Sequence, residues 1–131
     1  MIIDNKLFDE LLEKATTNIR RRVNLDLRNS NSDTSQRMLN AILPDSFIDI
    51  HRHLNTSETV LLLRGSITEI FYDDQGVECA RYDLSIASGV VGLQVPAGQW
   101  HTLICYEPSV ILEVKDGRYE PLQGTDVWTK G

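Results

Sequence analysis

The chain has 131 residues, 41% of them hydrophobic, with 19 acidic and 13 basic residues for a formal net charge of −6. That length and apolar content suit one domain whose core needs no disulfide or metal staple. The acidic balance argues against a nucleic-acid or anionic-membrane partner, since both require a basic footprint. Only Arg20-Arg21-Arg22 departs locally. That run reads first as a solvated patch at a helix end, and second as a contact for an acidic ligand or partner.

Two cysteines, Cys79 and Cys105, do not make a disulfide framework. The N-terminus turns charged within its first residues, unlike a signal peptide. No apolar run approaches the roughly 18 residues of a membrane span. The expectation is a cytoplasmic protein with free thiols.

Taken in chain order, residues 4–18 predict one amphipathic helix. Leu7, Phe8, Leu11, Leu12 and Ala15 recur at three- and four-residue spacing, and Asp4 or Asn5 is placed to cap the start. The segment NLDLRNSNSDTSQ (24–36) reads as a polar surface loop, with an ordered lid as the alternative. From Arg37 the pattern changes to short strands, expected at 37–43, 46–53, 58–64, 66–72, 78–84, 91–95, 100–106 and 109–115. Turns rich in Gly, Pro and Asp separate them. The organisation is therefore residues 1–36, a helix and polar loop packed on a barrel, followed by a metal-binding barrel over 37–131. Eight strands after one short N-terminal α-helix predict an all-β closed barrel or double-sheet jelly roll, with a sandwich of another topology as competitor. Both parities of 58–64 are apolar, so the outer face must meet the helix or a second subunit, and a homodimer is expected.

The chemistry concentrates at His51-Arg52-His53-Leu54-Asn55-Thr56-Ser57-Glu58. On an extended chain His51 and His53 share a face, and Glu58 opens the next strand. His101, the remaining histidine, follows the turn Pro96-Ala97-Gly98. Three imidazoles and one carboxylate suit a single divalent ion such as Fe, Zn, Mn or Ni. A lone histidine is more often a satisfied core or surface residue. Two on one strand face are awkward for a structural core, because each neutral ring needs a donor and an acceptor.

Residues 51–65, H-x-H-x4-E-x6-G, resemble the first motif of the cupin superfamily, and residues 96–101, P-x-G-x2-H, resemble the centre of the second. The resemblance implies a cupin-type double-stranded β-helix (the RmlC-like jelly roll) with His51, His53, Glu58 and His101 on the metal and Gly65 at a turn. Asp45 stands where the first motif has a glycine, and Cys105 where an asparagine is common. Over nearly its whole length the chain is also similar to the WbuC family of cupin-fold metalloproteins. The segments that carry this are SQRMLNAILPDSF (35–47), SETVLLLRGS (57–66), PAGQWHTL (96–103) and VILEVKDGRYEP (110–121). Members of that kind accompany bacterial surface-polysaccharide gene sets, and the resemblance leaves reaction and substrate open.

Parity supplies further pocket candidates. Cys105 shares the face of His101, as a soft ligand or more simply a small buried hydrophobe. Glu113 is expected to pair with Arg37 or Arg64 at the barrel mouth, or to make a surface ion pair. Gln99, Tyr106 and Tyr119 are candidates for lining the opening, with packing or surface roles as the plainer alternative. Catalytic residues are not assigned. The functional expectation is a metal-dependent enzyme acting on a small polar metabolite such as a sugar derivative. A non-catalytic ligand-binding or regulatory module and a structural metalloprotein are the competing readings.

Overall fold

The computed structural model describes residues 1–129, so the last two residues of the expected barrel range lie outside the described part. One helix, α1 (Asn5–Ala15), precedes eight strands: β1 (Arg22–Asp26), β2 (Ser35–Ile42), β3 (Glu58–Arg64), β4 (Ser66–Tyr72), β5 (Glu78–Ser85), β6 (Gly92–Val95), β7 (Trp100–Cys105) and β8 (Ser109–Asp116). The strands form two sheets, of order β1-β2-β8-β3-β6 and β5-β4-β7. Every pairing is antiparallel. This is the jelly roll expected from the strand pattern.

Helix α1 starts where Asp4 accepts a hydrogen bond from the Leu7 amide at 3.0 Å, satisfying one of the otherwise orphaned N–H groups. Phe8, Leu11 and Ala15 are buried. Phe8 and Leu11 pack with Leu39 and Ala41 of β2 and Val110 of β8, forming a core on the outside of the larger sheet. Arg64 fastens the helix, with Nη1 donating to Asp9 at 2.6 Å and the guanidinium 5.4 Å from the Phe8 ring centroid. The helix thus covers much of the apolar outer parity within one chain. The second core lies between the sheets and includes Ile42, Leu62, Ile67, Leu84, Cys105 and Ile111.

Two expectations about elements change. Residues 22–26, partly assigned to a polar loop, form β1, in register from Arg22↔Ile42 to Asp26↔Met38. Val23, Leu25 and Leu27 pack on the helix-side core, while Arg22, Asn24 and Asp26 take the other parity. That period-two alternation marks a half-buried strand, hidden in the sequence by the Asn/Ser/Asp-rich stretch that follows. Conversely, 46–53 is extended without forming a regular strand. Its backbone partners are mixed: Ile48 O accepts from Thr102 Oγ1, His51 pairs with His101, and Arg52 N donates to Asp126 O. Only isolated bridges result.

The connection from β3 to β4, which crosses between the sheets, turns at Gly65, whose φ is +92°. A side chain there would collide with the Ser109 hydroxyl and the Pro108 carbonyl, so both conformation and space require glycine.

Candidate metal centre

The three histidines converge through backbone pairing. His51 N donates to His101 O at 3.0 Å and His101 N to His51 O at 2.9 Å, which sets the two residues face to face. The turn Pro96-Ala97-Gly98 locks the third. Gly98, at φ +81°, donates its N–H to His53 O at 2.8 Å, and Gln99 N closes the turn on Pro96 O at 3.1 Å. The P-x-G spacing therefore holds the His53 backbone and launches β7 toward the position of His101. Glu58 opens β3, opposite Val95 on one side and Lys115 on the other.

The ring nitrogens of His51, His53 and His101 that would serve as ligands lie within 4.8 Å of one another. Glu58 Oε2 is 3.8 Å from His53 Nε2 and 3.7 Å from His101 Nε2. Around an ion with bonds of about 2.1 Å, neighbouring ligand atoms stand roughly 3–4 Å apart. Two rings are oriented from behind: His51 Nδ1 is 2.8 Å from Asp49 O, and His101 Nδ1 is 2.9 Å from Gln99 O. A carbonyl only accepts, so each Nδ1 carries its proton and each neutral ring turns an Nε2 lone pair to the centre. Glu58 Oε2 is buried without a hydrogen-bond partner. An orphaned carboxylate oxygen facing imidazole lone pairs is the arrangement a divalent cation satisfies, and the donor set fits one.

The electrostatics agree. Burial lowers His51 to about 4, with the charge of His101 adding to the effect, and burial together with Lys115 lowers His53 to about 4. Both are neutral near pH 7, as ligands must be. Burial opposes ionisation of Glu58, but the close approach of His101 and the charge of Lys115 outweigh it and hold the carboxyl well below its usual range. His101 moves the other way: burial disfavours its charged form, yet Glu58 and then Glu69 raise its pKa.

Beside the cluster lies a cavity of about 230 Å³, reached by Glu58, Glu69, Glu113, Lys115, Asn40 and Arg22 among others. Glu113 lines it, as its parity allows. Its partners are Asn40 Nδ2 at 3.2 Å and Lys115 Nζ at 3.6 Å, in place of the arginines suggested by the sequence. Arg37 instead bonds Asp33, Ser35 O and Leu27 O, while Arg64 holds α1. Cys105 sits deeper in the apolar core, its thiol donating to Glu107 O at 2.8 Å. Gln99 Nε2 donates to the Tyr72 and Trp100 carbonyls. Tyr106 is exposed, with its hydroxyl 2.9 Å from Thr68 Oγ1. Tyr119 lines an adjoining hollow of about 290 Å³ that shares His53 and Lys115 with the first. Its ring lies under Arg28, 5.4 Å from centroid to guanidinium carbon.

The sequence reading passed over Glu69. It stands mid-strand in SITEIFY, 1% exposed, with Oε2 unpartnered. Burial, reinforced by Glu58 and Glu113, raises its pKa to about 8. A carboxylate sharing the parity of Ile67 and Phe71 was the available signal. The C-terminal segment was missed as well. Asp126 accepts from Arg52 Nε at 3.3 Å, Trp128 N donates to Ile50 O, and Trp128 packs edge-on against Trp100 at 5.4 Å. Together these contacts strap residues 123–128 beside the histidine segment.

A jelly roll with this cluster between its sheets has the fold of the cupin superfamily, with three histidines positioned to bind a metal ion. The chain belongs to the family described as "Domain of unknown function (DUF6016)", whose model matches residues 3–84. No curated protein matches the sequence. Among solved structures, it is similar to TT1209 from Thermus thermophilus, at 18% identity and TM-score 0.64, covering 90% of this chain and 98% of that one. KdgF from Halomonas sp. aligns at 12% identity and TM-score 0.62, covering 79% and 85%. CapF, solved with the inhibitor 3-isopropenyl-tropolone, aligns at 18% identity and TM-score 0.62 over 75% of this chain. The chain spans only 29% of the CapF length. At these identities the likeness concerns the fold alone. No helix among the described residues is long and apolar enough to cross a membrane.

Proposed function

We propose that His51, His53, His101 and Glu58 hold one divalent ion, and that the protein is a metal-dependent enzyme acting on a small polar metabolite. The single observation that carries this reading is the fixed presentation of imidazole nitrogens and an orphaned carboxylate oxygen beside a polar cavity. A bound ion would supply Lewis acidity, or redox chemistry if it is iron. The chain's own residues do the rest. Asp49 O and Gln99 O orient two of the rings, and Lys115 and Glu113 set the charge of the wall. In the metal-free protein Glu69 keeps its proton near pH 7, which makes it the group placed to give one to a bound molecule.

The finer assignment follows the similarity to the WbuC family in segments 35–47, 57–66, 96–103 and 110–121. It makes the metabolite a sugar derivative of surface-polysaccharide biosynthesis, handled in the cytoplasm. Free Cys79 and Cys105 accord with a reducing compartment. A homodimer belongs to the same proposal, supported by exposed Leu61, Ile86, Val90 and Val91 around the β5–β6 connection. Light scattering then reads twice the 14.9 kDa chain mass. The second reading is a binding module in which the metal only helps hold a ligand, and it is favoured by the C-terminal strap that packs beside the histidine segment.

Elemental analysis of protein never exposed to chelator or nickel resin tests the metal. Near one equivalent of a single ion per chain is expected. Full retention of metal by both His51→Ala and His101→Ala would mean that the site is wrong. Turnover of a sugar-phosphate and nucleotide-sugar panel decides for the enzyme. A ligand that stabilises the protein and returns unchanged decides for the module. Because His101 is held toward its protonated form, metal affinity rises as pH climbs through its raised pKa and then levels, as calorimetry over a pH series would read.

A further inference from the structure

The cavity wall holds more polar groups than one metal ion uses. Asn40 on β2 and Glu69 on β4 reach it from different sheets and are only 6% and 1% exposed. Asn40 Nδ2 is occupied by Glu113, which leaves its Oδ1 without a donor, and Glu69 Oε2 also has none. A buried acceptor left bare costs about 1–3 kcal/mol, so two lining one cavity call for donors from an occupant. At the rim stand Arg20 and Arg22, from the basic run that the metal centre does not use. Arg22 Nη1 donates to two neutral oxygens, Ser46 Oγ at 3.2 Å and Phe47 O at 2.8 Å. Neither arginine makes an ion pair with a carboxylate among the described residues.

Charge points the same way. Three cationic side chains and four carboxyl groups line the cavity, and even with every carboxyl ionised a divalent ion leaves the formal balance at one positive charge. Size narrows the class. At about 30 Å³ per water, the 230 Å³ cavity has room for roughly seven or eight waters. That room suits a short hydroxylated chain ending in a carboxylate. Resting on the metal reading for the ion alone, we propose that the cavity takes a small polyhydroxy carboxylic acid. Its carboxylate meets Arg20 and Arg22, where a planar guanidinium matches a planar anion. Its hydroxyls donate to Asn40 Oδ1 and Glu69.

A matched set of four-carbon probes tests this on the metal-loaded full chain by titration calorimetry. Threonate, as both enantiomers, carries the carboxylate and the hydroxyls, threitol only hydroxyls, and butyrate only the carboxylate. Threonate of one hand is expected to bind at least about tenfold more tightly than either comparator, a gap of about 1.4 kcal/mol. Arg22→Gln removes the advantage over threitol, and Asn40→Leu shrinks the advantage over butyrate. Arg22→Gln is the variant least able to disturb folding, because the side chain sits at the rim. Metal content is measured on every sample. Metal-loaded protein that binds the three probes alike, or none at millimolar concentration, overturns this inference and spares the metal site. Protein that takes up no metal on loading, yet still prefers threonate through Arg22, overturns the metal site and supports this inference.

Discussion

The two ends of the barrel interior are built from the same strands in the same parity, yet they differ in kind. Along β3 the inward positions run Leu62, Val60, Glu58. Along β8 they run Ile111, Glu113, Lys115, and along β7 Cys105, Leu103, His101. One end is the dry core of Ile42, Leu62, Ile67 and Ile111, and the other holds histidines, carboxylates and Lys115 around a cavity. The dry end supplies the stability that lets the wet end keep buried charge, since unpaired buried polar groups oppose folding. The difference teaches where to look for function in such a barrel: at the end where inward parity turns polar.

Four substitutions break or sharpen that contrast. The largest effect is expected at the wet end, where His101→Ala should drop bound metal from near one equivalent to below about a tenth. The affinity loss behind that drop should exceed the 10–100-fold typical of residues behind a ligand. Elemental analysis reads it, and an unchanged content removes His101 from the site.

Glu69→Gln should act as a pH-dependent stabiliser of the metal-free protein. Burial raises this carboxyl from 4.5 to about 8, so the folded state resists its ionisation. Wild-type stability therefore falls as pH climbs from about 4.5 to about 8 and is flat outside that window, at up to about 1.4 kcal/mol per pH unit. The glutamine variant lacks this slope, so its advantage in urea unfolding is a few kcal/mol at alkaline pH and vanishes in acid. Parallel pH profiles would show that Glu69 ionises freely in the fold.

At the dry end, Ile111→Ala should cost about 2–5 kcal/mol by leaving a cavity under a fully buried side chain. Bound metal should stay near one equivalent. Loss of metal together with stability would show that the two ends are one unit. The smallest effect belongs outside the barrel. Arg64→Ala removes the hold of β3 on Asp9 and Phe8 of α1, and a partly exposed pair of this sort contributes about 1 kcal/mol or less. Neither metal nor probe binding should respond.

Much of the site was legible because its residues are close in sequence or sit behind distinctive turns. The pair His51 and His53 follows from period two, Glu58 from the strand start, and His101 from Pro96-Ala97-Gly98. The jelly roll followed from the spacing of short strands, two of which, 58–64 and 66–72, form with the expected limits. Strand β1 escaped because alternation over five residues is weak beside the polar stretch that follows it. The arginines suggested as partners of Glu113 failed on parity: Arg37 alternates with inward Met38, and Arg64 follows the register shift in β3 that ends its regular pairing with β8.

By itself the sequence determined the histidine pair, the turn glycines, the amphipathic helix and seven of the eight strands, because each depends on local periodicity or backbone conformation. Only the tertiary structure decided which carboxylates share the cavity, that Asn40 and Lys115 hold Glu113, and that residues 123–128 close against the histidine segment. Those outcomes depend on register between strands distant in sequence. A strand's pattern says which side chains share a face, while the partner it pairs with decides what they meet.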